Sequence, residues 1–243
     1  MSRLRIFLIV LLLASSFKGV AQNIYLLSVG ISDYPASAPV NDLNLPVEDA
    51  RALHELYMRN PRTKAVLLTN ANARKDRIMS EAGKLFKNAQ ANDIVIFFFS
   101  GHGDDITGSF IAYDGFLKYD EIRKMFSGCK ARNKMIFADA CCSGGLRESS
   151  REGYVDNVNN VMLFLSSRTN ESSIEHEKMK NGMFTTCLLR SLRGGADKNR
   201  DKVITAQELF VSVSNGVKKL TSNRQHPVMW GNFADDMPVM VWK

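Results

Sequence analysis

The chain lacks the features on which several common functions depend. Its 32 lysines and arginines form no basic run and have no interleaved aromatics, so a net charge of +7 lends little support to nucleic-acid binding. No Cys-x-x-Cys or His-Glu-x-x-His pair occurs, and the 4 histidines are too scattered to suggest a zinc site. Of the 4 cysteines, Cys141 and Cys142 are adjacent, while Cys129 and Cys187 stand alone in apolar surroundings. That spacing is not a disulfide framework, and a chain of 243 residues is too large to need staples. Cys129 and Cys187 read as small core residues. There is no internal repeat or low-complexity tract, and the N-terminal apolar run falls short of the ~20 residues that span a bilayer.

What the N-terminus does contain is a secretory signal. Arg3 and Arg5 make a positive start, Ile6 to Ala14 an apolar centre, and Gly19-Val20-Ala21 a small-residue cleavage site. Residues 1–21 are therefore expected to be removed, leaving 22–243 as one exported domain, periplasmic or secreted, with no membrane attachment. No cysteine lies near the cleavage site to carry a lipid. Arg3, Arg5 and Lys18 leave with the peptide, so the mature chain is less basic.

The remainder alternates between two patterns. Continuous apolar runs over Asn23–Ile31, Lys64–Thr69, Asp93–Ser100, Lys134–Ala138 and Val161–Ser166 predict strands covered on both faces. Helical periodicity predicts helices over Pro46–Met58, Arg74–Asn88, Tyr119–Phe126, Met183–Leu192 and Ala206–Leu220. Ser109–Phe116 reads as a hairpin turning at Asp114-Gly115, and Met237–Trp242 as a closing strand. The stretch from Ser32 to Asn44, with Pro35 and Pro39, is an irregular loop, and long loops at strand ends often carry function. The polar stretch Gly144–Asn160 reads as an exposed linker between a larger and a smaller part of one domain. The fold class this predicts is α/β: a mainly parallel sheet with helices on both faces.

In such sheets a site lies beyond the carboxyl ends of the strands. Two strands deliver reactive groups there: Ser100-Gly-His102-Gly103 follows one, and Asp139-Ala-Cys141-Cys142-Ser-Gly ends another. An imidazole lowers the pKa of a neighbouring thiol enough to form a thiolate, and can then protonate a leaving amine. The backbone N–H groups of Gly103 and Cys141 are candidates for an oxyanion hole. The duller alternative is that His102 caps a loop and the cysteines merely pack. Chemistry alone does not choose between the two adjacent thiols.

These motifs resemble the caspase/metacaspase superfamily of cysteine peptidases, most closely its bacterial metacaspase-like branch. The caspase signature carries Gln-Ala-Cys with a histidine about 50 residues upstream; here Asp139 replaces the Gln, as is usual in metacaspases. The resemblance extends through Val29–Tyr34, Glu48-Asp49-Ala50, Ser166–Arg168, Gly182–Thr185 and Gln225-His-Pro227, nearly the whole mature chain. It implies a caspase-like three-layer sandwich, with a large part over about 22–145, a linker over about 146–160 and a small part over about 161–243. It also implies Cys141 as nucleophile, although metacaspases usually carry histidine where this chain has Cys142. A substrate pocket lined by Asp49, Ser100 and Asp139 follows from the same resemblance, and two carboxylates there suit an Arg or Lys side chain. The family's further pocket cysteine falls on Pro46. Protein or peptide substrates with a basic residue before the cut, and a monomeric state, are further implications.

Three expectations remain. Arg147 and Arg151 in the linker are candidate self-cleavage sites, unless they are only a solvated basic loop. Asp197-Lys-Asn199-Arg-Asp201 through Glu208 resembles a calcium loop, but Lys202 replaces the turn glycine and Thr205 with Glu208 makes an ordinary capping box. Some metacaspases bind calcium at another acid cluster, and Asp104 and Asp105 keep calcium open as an activator; the chemistry itself requires no cofactor. A catalytically silent caspase fold that binds peptides or partners is the alternative to the enzyme.

Overall fold

The computed structural model describes residues 22–104, 107–140, 161–168 and 179–242. Strand β1 (Ile24–Gly30) is buried along its whole length, as are β3 (Ile94–Gly101) and β8 (Val161–Leu165), and β7 (Asn133–Ala140) is buried beyond its first residue. With β2 (Thr63–Thr69) and β10 (Val228–Trp230) these strands form one sheet in the order β10-β8-β7-β3-β1-β2. Every pairing in it is parallel except β10 on β8.

Burial on both faces follows from the period of two along each strand. Tyr25, Leu27 and Val29 of β1 pack with Ile78, Ala82 and Phe86 of α2 (Lys75–Phe86) and with Ile122 and Met125 of α3 (Tyr119–Met125). Ile24 and Leu26, one residue out of phase, pack instead with Leu53 and Tyr57 of α1 (Pro46–Met58), Phe184 and Leu188 of α4 (Met183–Arg190), and Leu209 and Val213 of α5 (Ala206–Leu220). The result is a helix–sheet–helix sandwich.

α1 and α5 span the residues their periodicity predicts. Pro46 fills the first turn of α1, and Thr205 with Glu208 caps α5 reciprocally. Other expectations need correction. The closing strand β11 (Pro238–Val241) does not join the main sheet; it pairs antiparallel with β9 (Val203–Thr205), a strand inside the stretch that resembles a calcium loop. The antiparallel edge is β10, too short to stand out. The helix expected to reach Leu192 ends at Arg190 and continues as a wide turn, Ser191–Gly195, in which Gly194 takes a φ of 107°.

The hairpin turns at Tyr113-Asp114 rather than Asp114-Gly115, because Ala112 pairs with Gly115. Asp114 is drawn away to accept the Lys75 N–H (2.8 Å) at the start of α2. Its strands β5 (Ser109–Ala112) and β6 (Gly115–Leu117) join β4 (Gly103–Asp104), which leaves directly from His102. This small sheet sits at the carboxyl end of β3.

Candidate active site

Three adjacent strands, β1, β3 and β7, end together at the carboxyl edge of the sheet. β3 runs on through Ser100 and Gly101 to His102. There the main-chain N–H donates to the Tyr34 hydroxyl (3.1 Å), and the main-chain carbonyl accepts from Ile111 N–H (2.9 Å). The imidazole lies tilted against the Tyr34 ring, with centroids 5.2 Å apart. Its Nε2 is 2.7 Å from the carbonyl oxygen of Asn41. A carbonyl can only accept, so Nε2 is the donor, and in the neutral ring the lone pair falls on Nδ1. That is the tautomer a base acting through Nδ1 requires. Gly101 is needed for this approach, since a Cβ there would stand 2.9 Å from the Tyr34 hydroxyl.

The second feature is a buried acid cluster. Asp49, in the first turns of α1, accepts at Oδ2 from Ser100 Oγ (2.9 Å), and at Oδ1 from Asn181 Nδ2 (2.9 Å) and Gly182 N–H (3.0 Å). Asp139, beside Ser100 in the β3–β7 register, accepts at Oδ2 from the Thr185 N–H (3.1 Å) and hydroxyl (2.8 Å). Burial, reinforced by the charge of Asp139, pushes the Asp49 carboxyl well above the usual carboxylate range, while Asn181, Ser100 and Gly182 hold the rise back. Both carboxylates sit at the N-terminus of α4, where unpaired N–H groups and the helix dipole favour negative charge. Gly182 lies between them: a Cβ on it would collide with Asp139 Oδ2 and press to 3.2 Å on Asp49 Oδ2. The structure thus brings Asp49, Ser100 and Asp139 together.

The third feature is the end of β7. Ser166 Oγ accepts from Ala140 N–H (3.3 Å) and donates to Ala140 O (3.0 Å), and Ser166 N–H donates to Ala138 O (2.9 Å). Buried Gln225 donates from Nε2 to Ser166 O (2.9 Å). Ala140, immediately before Cys141 in sequence, is therefore fixed on both its main-chain groups. Cys141, Cys142, Asp105, Arg147 and Arg151 lie outside the described residues, as does the whole linker. Gly103 opens β4.

The remaining candidates are placed as follows. Cys187 is buried in the core, its thiol pushed up to about 11 chiefly by burial, and so is inert as a nucleophile. Cys129 is half-buried against the opposite core. In the stretch resembling a calcium loop, Asp197 accepts from Asp201 and Lys202 N–H groups (3.2 and 3.1 Å), and Glu208 caps α5 through Thr205. Among the described residues no group of three or more His, Cys, Asp or Glu is arranged to hold a metal ion.

The sequence profile of the caspase domain matches residues 25–237. The chain belongs to the caspase domain family. Among solved structures, a protein from Geobacter sulfurreducens superposes with a TM-score of 0.67 at 18% identity, covering 91% of this chain and 100% of that one. Caspase-1 from Spodoptera frugiperda superposes with a TM-score of 0.63 at 14% identity, covering 88% of each chain. At such identities the likeness shows the fold, and it is the three-layer caspase sandwich. No curated protein sequence matches significantly. Membership makes the chain a caspase-like peptidase at the level of the superfamily, a family that acts on protein substrates.

Several residues of the site have roles that the sequence does not announce. Gly182, Thr185 and Gln225 belong to stretches that carried the family resemblance, yet nothing in their identity told that Thr185 anchors one acid or that Gln225 braces Ser166. Asn181 carries no signal in the sequence.

Proposed function

We propose that the chain is an exported cysteine endopeptidase of the metacaspase-like branch that cuts after arginine or lysine. The observation that carries this reading is the convergence of Asp49, Ser100 and Asp139 in one buried cluster, with His102 two residues beyond Ser100. The hydrogen-bond donors to Asp49 are neutral groups, so an entering guanidinium or ammonium would bring a positive charge to that carboxylate. An anionic substrate side chain would instead meet two carboxylates.

In this mechanism His102 Nδ1 takes the proton of the Cys141 thiol. The thiolate sulfur adds to the scissile carbonyl, and the N–H groups of Gly103 and Cys141 receive the oxyanion. Collapse expels the amine, which takes the proton back from His102, and leaves a thioester. Water, deprotonated by the same imidazole, then hydrolyses the thioester and releases the thiol. The hydrogen bond from Nε2 to Asn41 O supports each protonation state that the cycle visits.

The test is turnover of fluorogenic peptides ending in Arg, Lys or Asp, under mild reductant, with Cys141→Ala alongside and with calcium added and omitted. Cleavage after Arg and Lys that disappears in Cys141→Ala supports the reading. Preference for Asp would overturn the pocket. Absence of turnover from every form, nicked or intact, would favour the silent binding module.

A further inference from the structure

The loop from Ser32 to Asn44 contains no helix or strand, yet it is closely tied. Its outgoing leg is fixed where Ser32 N–H donates to Asn70 Oδ1 (2.9 Å), and its return leg where Leu43 N–H donates to Ser32 O (2.8 Å). Between these ties, Tyr34 N–H donates to Asp42 Oδ1 (2.8 Å) and joins the two legs across the loop. Asn41 precedes Asp42, so the same closure sets the position of the Asn41 carbonyl.

Both legs then bear on His102. The return leg presents Asn41 O to the imidazole Nε2 (2.7 Å), and the outgoing leg presents the Tyr34 hydroxyl to the His102 main-chain N–H (3.1 Å). The Tyr34 hydroxyl also donates to Ile111 O (3.2 Å), while Ile111 N–H reaches back to His102 O (2.9 Å). Burial pushes the Tyr34 hydroxyl up to about 12, so it remains a donor at any working pH. His102 is thereby held through its ring, its N–H and its carbonyl, leaving Nδ1 to act.

We propose that Tyr34 and Asp42 form a positioning clamp on His102: Tyr34 fixes its main chain and ring plane, and Asp42 holds the loop so that Asn41 O fixes its tautomer. The inference rests on the reading of His102 as the catalytic base. Neither residue touches substrate; both act through the histidine. Misplacing a catalytic group by about 1 Å can cost on the order of a hundredfold in rate, so a clamp of this kind is worth having.

The experiment uses the full chain labelled with 15N-histidine, in wild type, Tyr34→Phe, Asp42→Ala and Asp42→Asn, with His102→Ala to assign the signal. In wild type the His102 Nε2–H should appear as a protected proton. Asp42 is exposed, so its replacement should leave the melting temperature unchanged. Asp42→Ala should lose the protected signal and lower kcat roughly tenfold, with KM within about twofold, because a positioning residue acts on the chemical step. Asp42→Asn should restore both, since only the acceptor oxygen is needed. Tyr34→Phe keeps the ring and should behave like Asp42→Ala. Wild-type kcat and an unmoved Nε2–H signal in both Tyr34→Phe and Asp42→Ala would overturn the clamp. Full turnover in His102→Ala would instead remove the reading of His102 as the base, and the wild-type Nε2–H signal would still decide whether the loop holds the imidazole.

Discussion

Asp49 of α1 and Asp139 of β7 approach one another on either side of the Gly182 α-carbon, where neither would fit beside a larger residue. Two acids from different layers of the sandwich are brought together by the N-terminus of a third element, α4. Protein interiors seldom bury paired carboxylates without a use for the charge. Here the use follows from the proposed substrate.

Replacing either acid should separate recognition from chemistry. Asp139→Asn and Asp49→Asn are each expected to lower kcat/KM for Arg peptides roughly 30-fold or more, the cost of truncating a buried charge pair at about 2 kcal/mol or above. Reactivity of Cys141 toward a small neutral alkylating agent should stay near wild type, since the imidazole of its proposed base is held by Asn41 O and Tyr34. Equal loss of peptide turnover and alkylation would mean that the acids support the fold and not the substrate.

The raised Asp49 pKa makes two statements about pH. Its cause is burial and then the Asp139 charge, so the folded state holds the proton more tightly than the unfolded state. For an acid with a raised folded pKa, stability is highest below the unfolded value and falls as pH rises through the folded one. Asp49→Asn should therefore melt above wild type at pH 7, by about 2–4 °C for each kcal/mol relieved, and the difference should close as pH falls toward 4. A bound cation favours the ionised pair, so KM for Arg peptides should fall as pH rises and level off above the raised pKa. A KM flat with pH, or an Asn variant less stable at pH 7, would contradict the assignment.

Gly182 offers a test of packing. Alanine adds one carbon where Asp139 Oδ2 already stands, and α4 begins there, so the helix or the acid must move. Overpacking of this kind costs about 1–3 kcal/mol. Gly182→Ala should melt lower than wild type and also lose Arg-peptide turnover, because Asp139 leaves its Thr185 donors. A thermal melt beside the kinetic assay separates the two effects.

Much of this arrangement was legible in the chain itself. Unbroken apolar runs such as Ile94–Phe99 can be buried on both faces only in a covered, parallel sheet, and that requirement places Ser100 and Asp139 at strand ends. α1 and α5 were readable to the residue because Pro46 and the Thr205–Glu208 box mark their starts. β9 and β10 were not, since three residues show no period, and each exists only through its partner strand. The ligand of the imidazole was beyond sequence reasoning altogether: it is a backbone carbonyl, and every residue has one. Likewise, Gly182 is informative only once two acids are known to flank it.

The adjacent thiols can be resolved by substitution. Cys141→Ala should abolish turnover and labelling by an arginine-based electrophile, whereas Cys142→Ala should keep both. Incubated side by side, wild type should yield fragments cut after Arg147 or Arg151, and Cys141→Ala should stay intact by mass. Fragments from the Cys141→Ala form alone in solution would rule out self-processing by that thiol.

Ser166 is where the small part of the domain reaches the end of β7. Its hydroxyl holds both main-chain groups of Ala140, and Gln225 holds its own carbonyl in turn, so three segments distant in sequence converge on the residue before Cys141. The carbonyl of Ala140 belongs to the same planar amide as the Cys141 nitrogen, so freeing it also frees a proposed oxyanion donor. Ser166→Ala should therefore lower kcat by roughly ten- to a hundredfold while leaving KM nearly unchanged, since the loss falls on the transition state. Gln225→Ala leaves a buried carbonyl without its side-chain donor, a cost of about 1–3 kcal/mol in stability, and should lower kcat in the same direction. If Ser166→Ala instead raised KM with kcat intact, Ser166 would belong to substrate binding, and the path from Gln225 to the nucleophile would carry no catalytic consequence.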